Sequence, residues 1–400
     1  MSSPSTTTNT PSASNHPGLA ARFKLGTVRA GFALGSRLAP QHTVNRAARL
    51  FATPFASSRS RAQAVQGDDE MQRSQIQVNG ETIATYVWGD PVAQPYALLA
   101  HGWSSFGLRY LPWVAKLRAL GYAVVTFDQP GHGYSSGKLC TLPEFTETIH
   151  AIGQYYGEAA LAIGHSLGGA AVVLAQDQGW HARKLILIAP AADMKAATGR
   201  FFRFVHLGEH LREPFHAWLQ HRTGVSVEDL EIHRHLPALG QPGLIVHDLD
   251  DDDVPWGEGE RYAQYWPGAR LFTTQGLGHR RVLDAPEVIE ASLAFLRGEE
   301  VGTRVVGSPN LPFCISPRAF PFSLWEKVPR GRMRVRPKRA ADLKANPPSF
   351  PSPPGEGARR ADEGPARARP PTPHSTQPHT TTAPPNLPKN SAPDPDPLES

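Results

Sequence analysis

Between residues 74 and 298 the chain repeats one unit: a run of five or six apolar residues, then a longer stretch with apolar positions at helical spacing. The runs lie at 75–80, 82–89, 96–102, 123–128, 161–166, 184–190, 243–248 and 270–276. The helical stretches between the later runs lie at 108–120, 143–156, 168–178, 257–266 and 286–297. Continuously apolar strands alternating with helices predict an α/β fold, a mostly parallel eight-stranded sheet with helices on both faces. Asn79-Gly80, between the first two runs, predicts an antiparallel hairpin start. The rhythm breaks once, at 196–238, a stretch rich in aromatics and histidines that predicts a small helical cap rather than further strands.

The flanks are different objects. Of the 39 prolines, 22 fall in 301–400, where periodicity is lost. The domain plan is therefore a disordered N-terminal tail at 1–35, a helical segment at 36–73, an α/β domain at 74–300 and a disordered, Pro-rich C-terminal tail at 301–400. Within the helical segment, Leu38, Val44, Ala47, Leu50 and Phe51 recur at helical spacing. The net charge of +5 belongs to the flanks: residues 1–70 carry +5, residues 301–400 carry +7, and the stretch between them carries −7. An acidic middle argues against a nucleic-acid partner. Two cysteines exclude a disulfide scaffold, and without an apolar run of about 18 residues no stable membrane insertion is expected. The absence of any carboxylate before Asp68 fits organellar import, but a cytoplasmic bacterial protein with a surface helix is the preferred expectation.

The pattern G-x-S-x-G occurs twice, around Ser166 and around Ser135. Ser166 follows an apolar run and precedes the small, helix-competent "GGAAVVLAQ", the strand–turn–helix context of a nucleophile elbow. Ser135 sits in a Gly/Pro loop and reads as a turn residue. A serine nucleophile needs a base, an acid to orient it, and two N–H donors for the developing oxyanion. His279, in a Gly-flanked loop after the last strand, is the candidate base. The acid lies in "DLDDDDVP", where Asp248 and Asp250 to Asp253 compete. The N–H groups of Trp103 and Leu167 are the candidate oxyanion donors. His101, Gly102 and His165 flank these positions and are the candidate substrate-binding residues.

Metal sites are not expected. Asp248, Asp250 and Asp252 have the opening spacing of a calcium loop, but Asp253 and Gly259 stand where glycine and glutamate are needed. His206 and His210 are spaced as helical zinc ligands, but Leu207 replaces the glutamate of that signature.

His101-Gly102-Trp103, "FDQPGHGYSSG", "GHSLGG", "IVHDLDDDDVP" and "GLGHRRVL" resemble, in their order, the α/β-hydrolase-fold serine hydrolases, over residues 74–298. Among these the chain is most similar to bacterial enzymes with a short helical cap and an N-terminal helix. In that family the acid precedes x-x-Val-Pro, which on Val254-Pro255 implies Asp251. The resemblance implies a Ser166–His279–Asp251 triad, an ester substrate and no cofactor. Phe201, Phe202, Phe204, Phe215 and Trp218 suggest an apolar pocket for a small or medium substrate, or else form the cap's own core. The same triad supports acyl transfer, cofactor-free peroxidation or C–C bond hydrolysis. A non-catalytic binding member is disfavoured, because every triad residue type is present.

Overall fold

The computed structural model describes residues 19–305. Its strands are β1 (Gln72–Val78), β2 (Glu81–Trp88), β3 (Tyr96–Ala100), β4 (Ala123–Phe127), β5 (Leu161–His165), β6 (Leu185–Ile188), β7 (Gly243–Asp248) and β8 (Ala269–Thr274). Its helices are α1 (Leu19–Leu38), α2 (Pro40–Ala52), α3 (Ser57–Gln63), α4 (Leu111–Ala119), α5 (Leu142–Tyr156), α6 (Leu167–Asp177), α7 (Met194–Val205), α8 (Arg212–Thr223), α9 (Trp256–Tyr265), α10 (Gly278–Arg281) and α11 (Pro286–Leu296).

The strands form one eight-stranded sheet in the order β1-β2-β4-β3-β5-β6-β7-β8. β2 pairs antiparallel with both β1 and β4, and all later pairings are parallel. The β1–β2 connection is tight because Asn79 (φ 49°) and Gly80 (φ 82°) both take the left-handed region that a two-residue hairpin turn demands.

Helices cover both faces, so successive strand residues alternate between two cores rather than between core and water. Leu98, Val125, Leu187 and Ile245 join Phe145 and Ile149 of α5 on one side. Their neighbours Leu99, Val124, Ile186 and Val246 join Trp113 of α4 and Val288 of α11 on the other. This is why the strands read as unbroken apolar runs. Each such side chain contributes about 1.5–3 kcal/mol on burial.

β3 lies between β4 and β5. The chain leaves β3 to one side to build β4 and returns on the other side to build β5. In parallel sheets that reversal opens a crevice beyond the carboxyl ends of the two strands, where ligands bind. Here those ends carry His101-Gly102 and His165-Ser166.

The insertion between β6 and β7 forms α7, α8 and three 3-10 turns over 228–238. The expected unstructured tail is corrected at both ends. Residues 19–35 belong to α1, whose Phe32 is buried. Its glycines lower helix propensity and hid it in the sequence, yet Gly35 is where α2 comes close: a Cβ there would lie 2.6 Å from Thr43 Oγ1. At the other end the described chain continues past 300, and Thr303 bridges Leu271. The remainder of both expected tails, 1–18 and 306–400, lies outside the described residues. His206 and His210 do not share a helix: His206 closes α7 in the left-handed region, and His210 donates from Nε2 to the Ser36 carbonyl. Among the described residues no helix is long and apolar enough to cross a membrane, and no group of three or more His, Cys, Asp or Glu side chains could hold a metal ion.

Candidate active site

Ser166 sits between the end of β5 and the first residue of α6 with φ 55° and ψ −124°. A non-glycine residue held there costs on the order of 1–3 kcal/mol and persists only where its surroundings enforce it. Two glycines let them do so. A Cβ on Gly164 would lie 2.6 Å from the Gly169 Cα, and one on Gly168 would lie 2.4 Å from the Ala100 carbonyl. The first turn of α6 thus packs backbone to backbone against the ends of β5 and β3. The Ser166 N–H donates to Ile188 O at 2.9 Å, tying the turn to β6 as well.

His279 stands on α10. Its Nε2 is 2.9 Å from Ser166 Oγ, and its Nδ1 donates to Asp251 Oδ2 at 2.8 Å. A carboxylate can only accept, so Nδ1 carries the proton and Nε2 presents its lone pair to the serine hydroxyl. The Asp251 carboxylate is fully buried. Its Oδ1 accepts from the Asp253 and Val254 N–H groups at 3.0 and 2.8 Å. Burial opposes its ionisation, but contacts from His247, His279 and the Val254 N–H outweigh burial and hold its pKa well below the usual carboxylate range. The neighbouring acids face elsewhere: Asp250 accepts from the Gly276 N–H at 3.0 Å, and Asp252 and Asp253 are exposed.

Asp248 is a site residue that sequence reasoning did not single out. Fully buried at the end of β7, it accepts from Thr274 Oγ1 and from the N–H groups of Leu277, Gly278 and Asp250. It therefore ties the segment bearing His279 to the loop bearing Asp251. The only signal was its position as the last strand residue, obscured by the acid run after it.

Gly102 lies against the serine, since a Cβ on it would be 2.8 Å from Ser166 Cβ. The next N–H, that of Trp103, therefore belongs to the backbone passing Ser166. Leu167 is the first residue of α6, where a helix has no carbonyl one turn back to accept its N–H.

His101 and His165, the candidate substrate-binding histidines, both bond to backbone. His101 is fully buried, donates from Nδ1 to Gly102 O and accepts at Nε2 from the Gln129 N–H. It joins the β3 end to the loop after β4, and burial lowers its pKa to about 4. His165 donates from Nε2 to the His279 carbonyl at 2.9 Å and supports the base from behind. Burial, then the nearby His279, lowers its pKa to about 3. Both rings are neutral at physiological pH. Ser135 is a structural residue: its Oγ donates to Asp128 O and accepts from the Ala84 N–H. Of the candidate pocket aromatics, Phe202 and Phe215 are fully buried in the core on one side of the sheet, where Phe51 of α2 packs edge-on against Phe215. Phe201 stacks on Phe215, Trp218 is partly buried against the same core, and Phe204 is exposed beneath Arg29.

The family described as serine aminopeptidase, S33, matches residues 93–237. The sheet order, the strained serine between β5 and α6, and this match agree. This chain has the α/β-hydrolase fold. It is 28% identical over 246 residues to the pimeloyl-[acyl-carrier protein] methyl ester esterase of Xanthomonas campestris pv. campestris, a match spanning 50% of this chain and 95% of that one. It is 28% identical over 136 residues to human monoglyceride lipase, covering 31% of this chain and 45% of that one. Among solved structures, mouse alpha/beta hydrolase domain-containing protein 10 superposes with TM-score 0.45 at 20% identity, covering 57% of this chain and 97% of that one.

Proposed function

We propose that this hydrolase cleaves a carboxylic ester of a small or medium apolar substrate through an acyl-enzyme on Ser166, without a cofactor. The observation that carries the reading is the continuous hydrogen-bonded chain from Ser166 Oγ through His279 to the buried Asp251. The esterase and lipase relatives support the substrate class.

His279 Nε2 takes the Ser166 proton as Oγ attacks the ester carbonyl carbon. The Trp103 and Leu167 N–H groups hold the oxyanion, and a donor of this kind is worth about 3–4 kcal/mol in the transition state. The tetrahedral intermediate collapses, the C–O bond to the alcohol breaks, and the imidazolium gives its proton to the leaving alkoxide. Water then enters, loses a proton to His279 and attacks the acyl carbon. Collapse releases the acid, and the proton returns to Ser166. Asp251 stays ionised throughout, holding the ring in one tautomer and offsetting the charge of the imidazolium. The domain at 74–300 carries this chemistry, with the 196–238 insertion as its cap.

The test is a panel of p-nitrophenyl esters of graded chain length, with and without an acceptor alcohol, alongside a fluorophosphonate probe. The expected result is stoichiometric labelling of Ser166 and ester turnover to the free acid. Product appearing mainly as the new ester would assign acyl transfer, and an unlabelled, inactive protein would overturn the reading.

A further inference from the structure

The Trp103 N–H lies in a turn, Gly102 to Ser105, closed by the Ser105 N–H on Gly102 O at 3.2 Å. Trp103 and Ser104 are its central residues. Ser104 is in the left-handed region at φ 53°, a conformation that L side chains rarely adopt, and is almost fully buried. Each of its polar groups is held. Its N–H donates to His132 Nε2 at 2.9 Å, its Oγ accepts from the Phe55 N–H at 2.9 Å, and its carbonyl accepts from the Arg61 guanidinium at 2.6 Å.

Two of these three contacts come from the α2–α3 segment, outside the sheet. That segment is itself fastened to the loop after β4. The Cys140 N–H donates to Ala52 O at 2.8 Å, and Arg59 reaches the carbonyls of Gly133, Ser135 and Gly137. Arg61 is oriented by its Nε bond to the Ser57 carbonyl at 3.1 Å. His132 donates from Nδ1 to Pro130 O, which leaves Nε2 free to accept. Phe55 and Arg61 both precede residue 93, where the family match begins.

We propose that Arg61 and the Phe55 backbone are positioning groups for the reaction: they hold Ser104 in its left-handed turn and so fix where the Trp103 N–H points. The inference rests on the acyl-enzyme reading above. Released, Ser104 relaxes to negative φ, the Gly102–Ser105 turn re-forms, and the Trp103 N–H swings away from Ser166. The donor then serves the transition state less well while ground-state binding of an apolar ester is unaffected, so the loss falls on kcat rather than KM.

The experiment uses the full-length chain and p-nitrophenyl butyrate, with Arg61→Ala, Arg61→Lys and Ser104→Ala. Arg61→Ala and Ser104→Ala are expected to lower kcat at least about tenfold, toward the 10²–10³ lost when a donor is removed outright. KM is expected to stay within about twofold. Arg61→Lys restores part of the loss because its ammonium still donates to Ser104 O, and millimolar guanidinium restores part of it in Arg61→Ala but not in Ser104→Ala. Folded Arg61→Ala and Ser104→Ala proteins that keep the parent kcat overturn the proposal. So does a kcat loss that follows the melting temperature and is rescued by neither lysine nor guanidinium. A parent protein that neither labels at Ser166 nor turns over esters overturns the acyl-enzyme reading, and this inference with it.

Discussion

The Val254 N–H donates to Asp251 Oδ1 at 2.8 Å, and this bond selects one carboxylate from a run of four. With Oδ1 engaged by the Asp253 and Val254 backbone, Oδ2 is left for His279. Each single Asp→Asn variant at 250, 251, 252 and 253 should therefore be compared by kcat/KM on one ester. Asp251→Asn is expected to lose about 10⁴, because an amide in that place favours the wrong tautomer of the base. The other three are expected to lose less than about tenfold. A crippled Asp250→Asn or Asp252→Asn would mean that the Val254 bond does not set the frame.

The two G-x-S-x-G serines separate cleanly by labelling. Ser166→Ala is expected to abolish fluorophosphonate capture, whereas Ser135→Ala keeps it. Ser135→Ala should instead destabilise the fold by about 1–3 kcal/mol, since the buried Ala84 N–H loses its acceptor. Denaturant unfolding of the labelled protein reads the second effect. Labelling lost in Ser135→Ala alone would reverse the assignment.

Asp248→Ala leaves the half-buried N–H groups of Leu277 and Gly278 without acceptors. The expected outcome is a loss of about 3 kcal/mol or more and a fall in kcat as the His279 segment loosens. Asp248 also titrates below the usual carboxylate range. Burial opposes ionisation, but hydrogen bonds from Thr274, Gly278, Leu277 and Asp250 outweigh it. Its contribution is thus full above the ordinary aspartate pKa and is lost as pH falls below it. Asp251, shifted the same way, adds to that acid sensitivity. A melting temperature that is flat from pH 5 to about 2 would contradict this.

Glu231 has the opposite sign. Burial, then the nearby Asp193, raises its pKa to about 7. Its protonated form favours the folded state, so its contribution is full below the ordinary glutamate pKa and is lost as pH rises toward 7. The shift corresponds to about 3 kcal/mol at most. In melting curves between pH 4 and 8, Glu231→Gln is expected to remove this component. An unchanged pH profile in the variant would assign the slope elsewhere.

The eight strands and the Ser166 elbow were legible because unbroken apolar runs, buried on both faces, and the elbow's small residues are local signals. Asp251 came instead from the family resemblance, whose pattern ends in Val254-Pro255. Three features were not legible. α1 was masked by Gly26, Gly31 and Gly35, of which only Gly35 is explained by close approach to a partner helix. Asp248 was read only as a competitor for the catalytic acid, although its acceptors serve a segment 26–30 residues further on. His101 and His165 lie beside the catalytic motifs in sequence, but their rings turn inward to hold backbone. In each case the deciding contact is long-range, and no spacing rule encodes it.

The backbone contact of Gly168 with the end of β3 separates what the chemistry needs from what the pocket displays. In the proposed reaction Trp103 and Leu167 act through peptide N–H groups, whose places follow from main-chain packing, and their side chains carry no catalytic duty. On that reading substrate preference can drift at these two positions by ordinary point mutation while the rate-enhancing apparatus persists. Glycines 102, 164 and 168 have no such latitude. A saturation library over these five positions would divide accordingly: new acyl-chain preferences at the first two, and loss of turnover with every substrate at the glycines.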